Sequence, residues 1–186
     1  MIIANHEIID RVCATAGSDL YRARRPADGV TVLLKRDSRH AAARSSSLER
    51  EFRILQSLDI PEAVKPLSVV GEHGQSAAIY QDFEGESLEA ILDAGARLDL
   101  PTCLRIAACL ARALEALHAA QVVHRDIRPA NILVSPANGE ARLADVSMAA
   151  TPDDDALPHE GGTVPAAHWG YMSPEQTGRF MRPDDR

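Results

Sequence analysis

Residues 8–35 alternate between apolar and polar positions with a period of two, and the stretches 8–14, 19–24 and 30–35 read as three antiparallel strands, with Pro26-Ala27-Asp28-Gly29 as a turn. In the third strand Val30, Val32 and Leu34 share one face, and Thr31, Leu33 and Lys35 share the other. The period then changes to that of a helix. Ser46-Ser47-Leu48-Glu49 is a capping box, with Ser46 as N-cap, and it predicts a helix reaching about Leu58. Leu48, Phe52, Leu55 and Leu58 set its apolar face, and Glu51 falls inside that face. Strands over 64–70 and 76–83 follow, and a short helix runs through Leu92. A long helix begins at Asp99-Leu100-Pro101 and carries an apolar stripe of Leu104, Ala107, Ala108, Ala111, Leu114 and Leu117. Beyond it, Ile132-Leu133-Val134 and Ala141-Arg142-Leu143-Ala144 flank the hairpin signal Pro136-Ala137-Asn138-Gly139. Residues 146–170 are irregular and rich in Pro, Asp and Gly.

Two features of this pattern carry candidate chemistry. A carboxylate on a buried stripe needs a cationic partner, and Lys35, at the end of the third strand, is the nearest candidate for Glu51. Pairing Val134 with Ala141 in the hairpin also places Asn131 opposite Ala144, beside Asp145, so two oxygen ligands converge as a magnesium site requires. Just upstream stands His124-Arg125-Asp126-Ile127-Arg128-Pro129-Ala130-Asn131. Any one of these is an ordinary turn residue. Together they supply what phosphoryl transfer asks of a protein, a carboxylate to orient the attacking hydroxyl and an oxygen ligand for magnesium, with Arg128 between them to meet phosphate charge.

Composition narrows the picture. The chain has 186 residues, 45% of them hydrophobic, which suits one domain or two small ones. A net charge of −7 argues against a surface built for nucleic acid or anionic membrane. Its three cysteines, at 13, 103 and 109, form no C-x-x-C pair and point to reduced thiols. The N-terminus turns acidic before a signal core can build, and no run approaches membrane-spanning length, so a cytoplasmic location is expected.

The 124–134 stretch, Asp145-Val146-Ser147 and Ser173-Pro174-Glu175 resemble the corresponding motifs of eukaryotic-type Ser/Thr protein kinases. Tyr171-Met172-Ser173-Pro174-Glu175-Gln176-Thr177-Gly178-Arg179 looks more narrowly like the kinase-like domain that opens large bacterial signalling proteins, where an ATPase module, a GAF domain and a histidine kinase follow. The resemblance implies an α+β, protein-kinase-like bilobal fold. Residues 1–83 would form a small antiparallel β-sheet lobe with one helix and the hinge, and 84–186 an incomplete, mostly helical lobe. It also implies ATP and Mg2+ as cofactors and a protein substrate modified on Ser or Thr. Asp126 would be the catalytic carboxylate, Lys35 with Glu51 the phosphate-anchoring pair, Arg128 the stand-in for the usual Lys, and Asn131 and Asp145 the metal ligands. Leu33, Tyr80, Gln81, Asp82, Phe83 and Leu133 would surround the adenine, with Tyr80 guarding its back.

The catalytic loop would span 124–131, the metal motif 145–147 and the activation segment 145–175, with Thr151 and Thr163 as phosphorylation sites and Arg125 as phosphate receiver. Several positions depart from the family pattern. Cys13, Thr15 and Ser18 stand where phosphate-loop glycines belong, Leu33 replaces a small residue, Val146 and Ser147 replace Phe and Gly, and His168 replaces a threonine. The chain stops where the central helix of the large lobe should begin, so further domains are expected beyond residue 186, and residues 1–186 alone are expected to be poorly stable and essentially inactive. A nucleotide-binding pseudokinase module and a small-molecule phosphotransferase are the alternatives.

Overall fold

The alternating stretch folds as an antiparallel meander that draws in more of the N-terminus than its pattern announces. The computed structural model describes residues 1–14, 18–37, 45–72, 75–151 and 170–177. Ile2–Ile3 (β1), His6–Ala14 (β2), Ser18–Arg24 (β3), Thr31–Asp37 (β4), Pro66–Glu72 (β5) and Gln75–Gln81 (β6) form a six-stranded sheet in the order β1-β2-β3-β4-β6-β5. β1 has no counterpart among the expected strands. It exists because Ala4 and Asn5 both take positive φ, 47° and 60°, the two-residue turn whose twist suits a hairpin. β1 lays Ile3 against Tyr21, Ala23, Val32, Leu34, Ala77 and Ile79 on one face of the sheet. Leu20, Leu33, Ala78 and Tyr80, on the other face, enter the main core.

Four boundaries differ from the sequence expectation. Val30 precedes β4 and is exposed. Val64 does not open β5; its N–H donates to Leu143 O and the Leu143 N–H to Glu62 O, so this segment ties the sheet to a second unit. Asp82 and Phe83 lie beyond the end of β6, in the connection that leaves the sheet. The helix α1 spans Ser45–Ser57, so Ser46 lies inside it and not at its cap. α1 buries Leu48, Glu51, Ile54 and Leu55, while Phe52 and Leu58 are half-buried. Glu51 is thus the centre of the packed face.

After residues 82–85 the chain forms Glu86–Ser87 (β7), Leu88–Asp93 (α2), Leu100–Ala119 (α3), Ile132–Val134 (β8) and Ala141–Leu143 (β9), with β7, β8 and β9 in one small sheet. Ser87 caps α2 by accepting the Ala90 N–H, and Asp99 caps α3 by accepting that of Thr102. Val134 pairs with Ala141 in β8 and β9, and the Ala144 N–H donates to Asn131 O. This is the register that the hairpin signal predicts. Only the C-terminal end of the expected α3 stripe packs: Leu117 is fully buried and Leu114 lies against the core. Ile106, Cys109, Ala113 and Leu117 are the buried residues of α3, whereas Leu104 is 60% exposed and Ala107, Ala108 and Ala111 are exposed. The helix is apolar on two sides, and among the described residues the β8–β9 hairpin covers the first set. No helix among the described residues is long and apolar enough to cross a membrane.

Candidate active site

Lys35 comes to the meeting point of the two units because β4 puts it on the same face as Leu33, and Leu33 is held in the core. Its Nζ lies 2.5 Å from Glu51 Oε2 and 2.9 Å from Asp145 Oδ2, so one ammonium bridges α1 to the segment after β9. Glu51 is fully buried and Lys35 nearly so. Burial opposes the charge of Lys35, but Asp145 and Glu51 outweigh it and hold the ammonium above its ordinary pKa. Burial dominates at Glu51 and lifts the carboxyl to about 7 against the pull of Lys35. At Asp145 burial is outweighed by Lys35 and by hydrogen bonds from Ser147, leaving the carboxyl at about 2.

Tyr80 closes the other side of Glu51. Its Oη donates to Glu51 Oε1 at 2.7 Å, and the ring is 1% exposed. Tyr80, expected at the back of a purine slot, therefore also completes the ion pair. Tyr80→Phe keeps the ring and leaves a buried carboxylate oxygen without this donor. It is expected to lower the unfolding free energy by on the order of 1–3 kcal/mol in urea titrations. An unchanged midpoint and slope would show that the bond contributes nothing.

The 124–131 loop is fixed from several sides. Val123 and Ala150 exchange backbone hydrogen bonds, which brings the segment after Asp145 alongside the loop. Buried His124 accepts the Asp126 N–H at Nδ1, and Pro129–Asn131 form a turn of 3-10 helix. Asp126 Oδ2 receives Asn131 Nδ2 at 2.7 Å and Arg128 Nε at 3.2 Å. Arg128 is only 6% exposed. Its Nε lies on Asp126, so the guanidinium expected to meet phosphate charge is also a partner of that carboxylate. Arg125, at φ 67°, offers its carbonyl to Gln176 Nε2 at 2.6 Å, which docks residues 170–177 on the loop.

Asn131 spends its amide nitrogen on Asp126, to both Oδ2 and the backbone carbonyl, and turns the oxygen end of the same group elsewhere. Asp145 accepts from Lys35 and from the Ser147 N–H and still has lone pairs on both oxygens. Two hard oxygen donors on neighbouring strand ends suit magnesium, which completes its shell with water and phosphate oxygens. The donor set fits. Ser147, expected to resist a glycine-only conformation, is not among the residues of positive φ, and Val146 is fully buried as a core plug.

The expected purine walls behave differently. Leu33 and Leu133 share one buried cluster with Leu20, Tyr80 and Val146, and neither is more than 1% exposed. A flat base would have to part them. Gln81 donates its N–H to Lys65 O, and Phe83 lies under the Arg142 guanidinium, 4.7 Å from its ring centroid. A separate cleft of about 590 Å³ is lined by Leu55, Ile60, Val64, Gln81, Phe83 and Arg142 among others, and neither Lys35 nor Asp145 takes part in its walls. At the roof, Cys13 pairs with Leu20 across β2 and β3, and burial, then the nearby Asp145 charge, push its thiol up to about 11. Thr15, Gly17, Thr163, His168 and Asp153 to Asp155 lie outside the described residues.

Arg22 was not anticipated. It donates to Asp82, Asp10 and the Gly85 carbonyl, and its register beside Leu33 on an inward face was the available signal.

Comparison with known families matches residues 14–182 to the family described as protein kinase domain. The serine/threonine-protein kinase PknE of Mycobacterium tuberculosis is 36% identical over 130 residues, covering 69% of this chain and 22% of its own length. PknH of the same organism is 35% identical over 130 residues, covering 69% of this chain and 20% of its own. A probable serine/threonine-protein kinase of Clostridium perfringens, CPE1738, is 29% identical over 128 residues, covering 69% and 18%. The chain thus spans about a fifth of the length of these curated relatives.

Proposed function

Since this chain belongs to the protein kinase domain family over most of its length, with the α+β bilobal arrangement of that family, we propose that it transfers the γ-phosphoryl group of ATP to Ser or Thr hydroxyls of a protein. The observation that carries the reading is the bridge of Lys35 between Glu51 and Asp145, with Asn131 hydrogen-bonded to Asp126 beside it. Lys35, Glu51 and Asp145 form one linked set and Asp126, Asn131 and Arg128 a second, and the backbone bond from Ala144 N–H to Asn131 O brings the two together.

The geometry supports the following roles. Asp126, held at Oδ2 by Asn131 and Arg128, accepts the substrate hydroxyl and orients its lone pair toward phosphorus. Lys35 meets phosphate oxygens, and Glu51 keeps the ammonium from collapsing wholly onto Asp145. Asn131 and Asp145 would hold a magnesium ion, whose charge offsets that of the phosphates. Gln81, Asp82 and Phe83 supply the backbone that receives the base, between Leu33 and Leu133. The Ser173-Pro174-Glu175 segment, docked on the loop through Gln176, supports protein hydroxyls over small molecules. The run 171–179 supports placing this domain within a longer signalling polypeptide.

Transfer of label from γ-labelled ATP to a generic basic protein, by the full-length polypeptide and its Asp126→Asn variant, tests this reading. Transfer by the first and not the second is expected. Nucleotide binding without transfer in both would leave a binding module only.

The Glu51 carboxyl makes the activity pH-dependent. Its folded-state pKa is raised from 4.5 to about 7, so as pH falls through 7 it takes a proton and ceases to balance Lys35. A kcat/KM profile with an acid limb near pH 7 is expected, and Glu51→Gln should flatten it at a lower plateau. For stability the sign is opposite: the folded state holds this proton above 4.5, so ionising Glu51 on the way to pH 7 costs stability. Asp145 is depressed from 3.8 to about 2, so its contribution is present above pH 3.8 and is lost as pH falls through 2. An acid limb unmoved by Glu51→Gln would assign it to another group.

A further inference from the structure

Arg22 occupies the middle of β3, in register with Asp10 on β2 and with Leu33 on β4. Leu33 faces the core, so Arg22 projects on the side of the sheet that meets the second unit. Its three nitrogens diverge to three places. Nη1 donates to Asp10 Oδ2 at 2.9 Å, Nε to Asp82 Oδ2 at 3.2 Å, and Nη2 to the Gly85 carbonyl at 2.9 Å. The Asp82 side chain is 8% exposed and that of Arg22 19%, which sets this contact apart from a fully solvated surface pair.

The connection between the units is constrained at each step of residues 82–85. Asp82 Oδ1 accepts the Glu84 N–H, and Glu84 sits at φ 54°, a left-handed conformation that a residue with a side chain adopts only when its surroundings impose it. Gly85 follows, and a Cβ there would lie 2.8 Å from the Phe83 ring. The guanidinium holds both ends of this turn, at Asp82 and at Gly85, and its third contact reaches Asp10 on β2. A planar fork with divergent donors can do this, and an ammonium cannot.

We propose that Arg22 is a positioning residue of the nucleotide site: it clamps the backbone of residues 82–85 to the roof strands β2 and β3, and thereby sets the slot in which the purine base is received. The proposal rests on the kinase reading for the identity of the ligand, and on the hydrogen bonds alone for the clamp. The clamp acts on the base, while Lys35, Asn131 and Asp145 act on phosphate, so the two halves of the ligand should respond separately.

The test compares full-length protein with Arg22→Met and with Asp82→Asn, which keeps the shape of the side chain. Arg22→Met is expected to weaken Mg-ATP binding by roughly tenfold, the order of one or two charge-assisted hydrogen bonds, and to leave binding of magnesium tripolyphosphate within about twofold. Asp82→Asn should shift Mg-ATP in the same direction by less, and the double variant should be no worse than Arg22→Met alone. Amides of residues 83–85 should exchange faster with deuterium in nucleotide-free Arg22→Met than in the wild type. Equal weakening for ATP and tripolyphosphate, additive losses, or unchanged exchange at 83–85 would each overturn the clamp. A wild type that bound no Mg-ATP would defeat the kinase reading, and the exchange comparison would still decide the clamp.

Discussion

Lys35→Met is expected to remove measurable Mg-ATP binding and, with it, all phosphoryl transfer. Methionine keeps the apolar stem of the side chain, so the loss isolates the ammonium. That ammonium is the shared partner of fully buried Glu51 and of half-buried Asp145, and both carboxylates would be left without it. Removing one member of a buried ion pair destabilises by about 3–5 kcal/mol when the remaining charge has nowhere to go. Here the cost is smaller, because Glu51, already lifted to about 7, takes a proton and becomes neutral. The variant should therefore remain folded, which circular dichroism checks, while its site holds the wrong charge for phosphate. Calorimetry that returned unchanged Mg-ATP affinity for both Lys35→Met and Asp145→Ala would show that the site has been misplaced.

Asp126→Asn should act on the other half of the reaction. The amide oxygen of asparagine can still accept from Asn131 Nδ2 and Arg128 Nε, so the 124–131 loop keeps its hydrogen bonds. What disappears is the negative charge that the proposed reaction uses to receive the attacking hydroxyl. A fall in kcat on the order of 10²–10⁴ is expected, with Mg-ATP affinity changed by less than about twofold. The split between the two constants is the informative part. A variant with wild-type kcat would transfer the catalytic role away from Asp126, and one that lost nucleotide binding instead would place Asp126 in the ligand shell.

Much of the arrangement was written in local pattern. The alternation of residues 18–35 specifies which side of β4 carries Leu33 and Lys35, since a strand has only two faces and a slip of one residue would expose the whole apolar set. The Pro136 to Gly139 turn sets the β8–β9 register, and that register alone brings Asn131 beside Asp145. Glu51 on a buried helical stripe demanded a cation, and Lys35 answers it. The same logic marks Arg22, a charged residue on an inward strand face, as needing partners, but Asp82 and Gly85 lie 60 and 63 residues away and no local period points to them.

By itself, then, the sequence determined the meander of β2 to β4, the β8–β9 register and the pairing of Glu51 with Lys35, because each depends on neighbours within a few residues, on a strand's two-fold alternation or on a buried charge's need for a partner. Tertiary structure decided the rest. α3 is apolar on two sides, and of the expected stripe Leu117 is buried while Leu104 and the alanines are exposed; docking on β8 and β9 adds Ile106 and Cys109, which the stripe did not contain. Arg128 points to Asp126 because burial of a guanidinium requires a carboxylate, and the nearest one is two residues back once the 3-10 turn forms. Tyr80 finds Glu51 only because α1 packs across β5 and β6, a juxtaposition of elements that hydrophobic periodicity cannot encode.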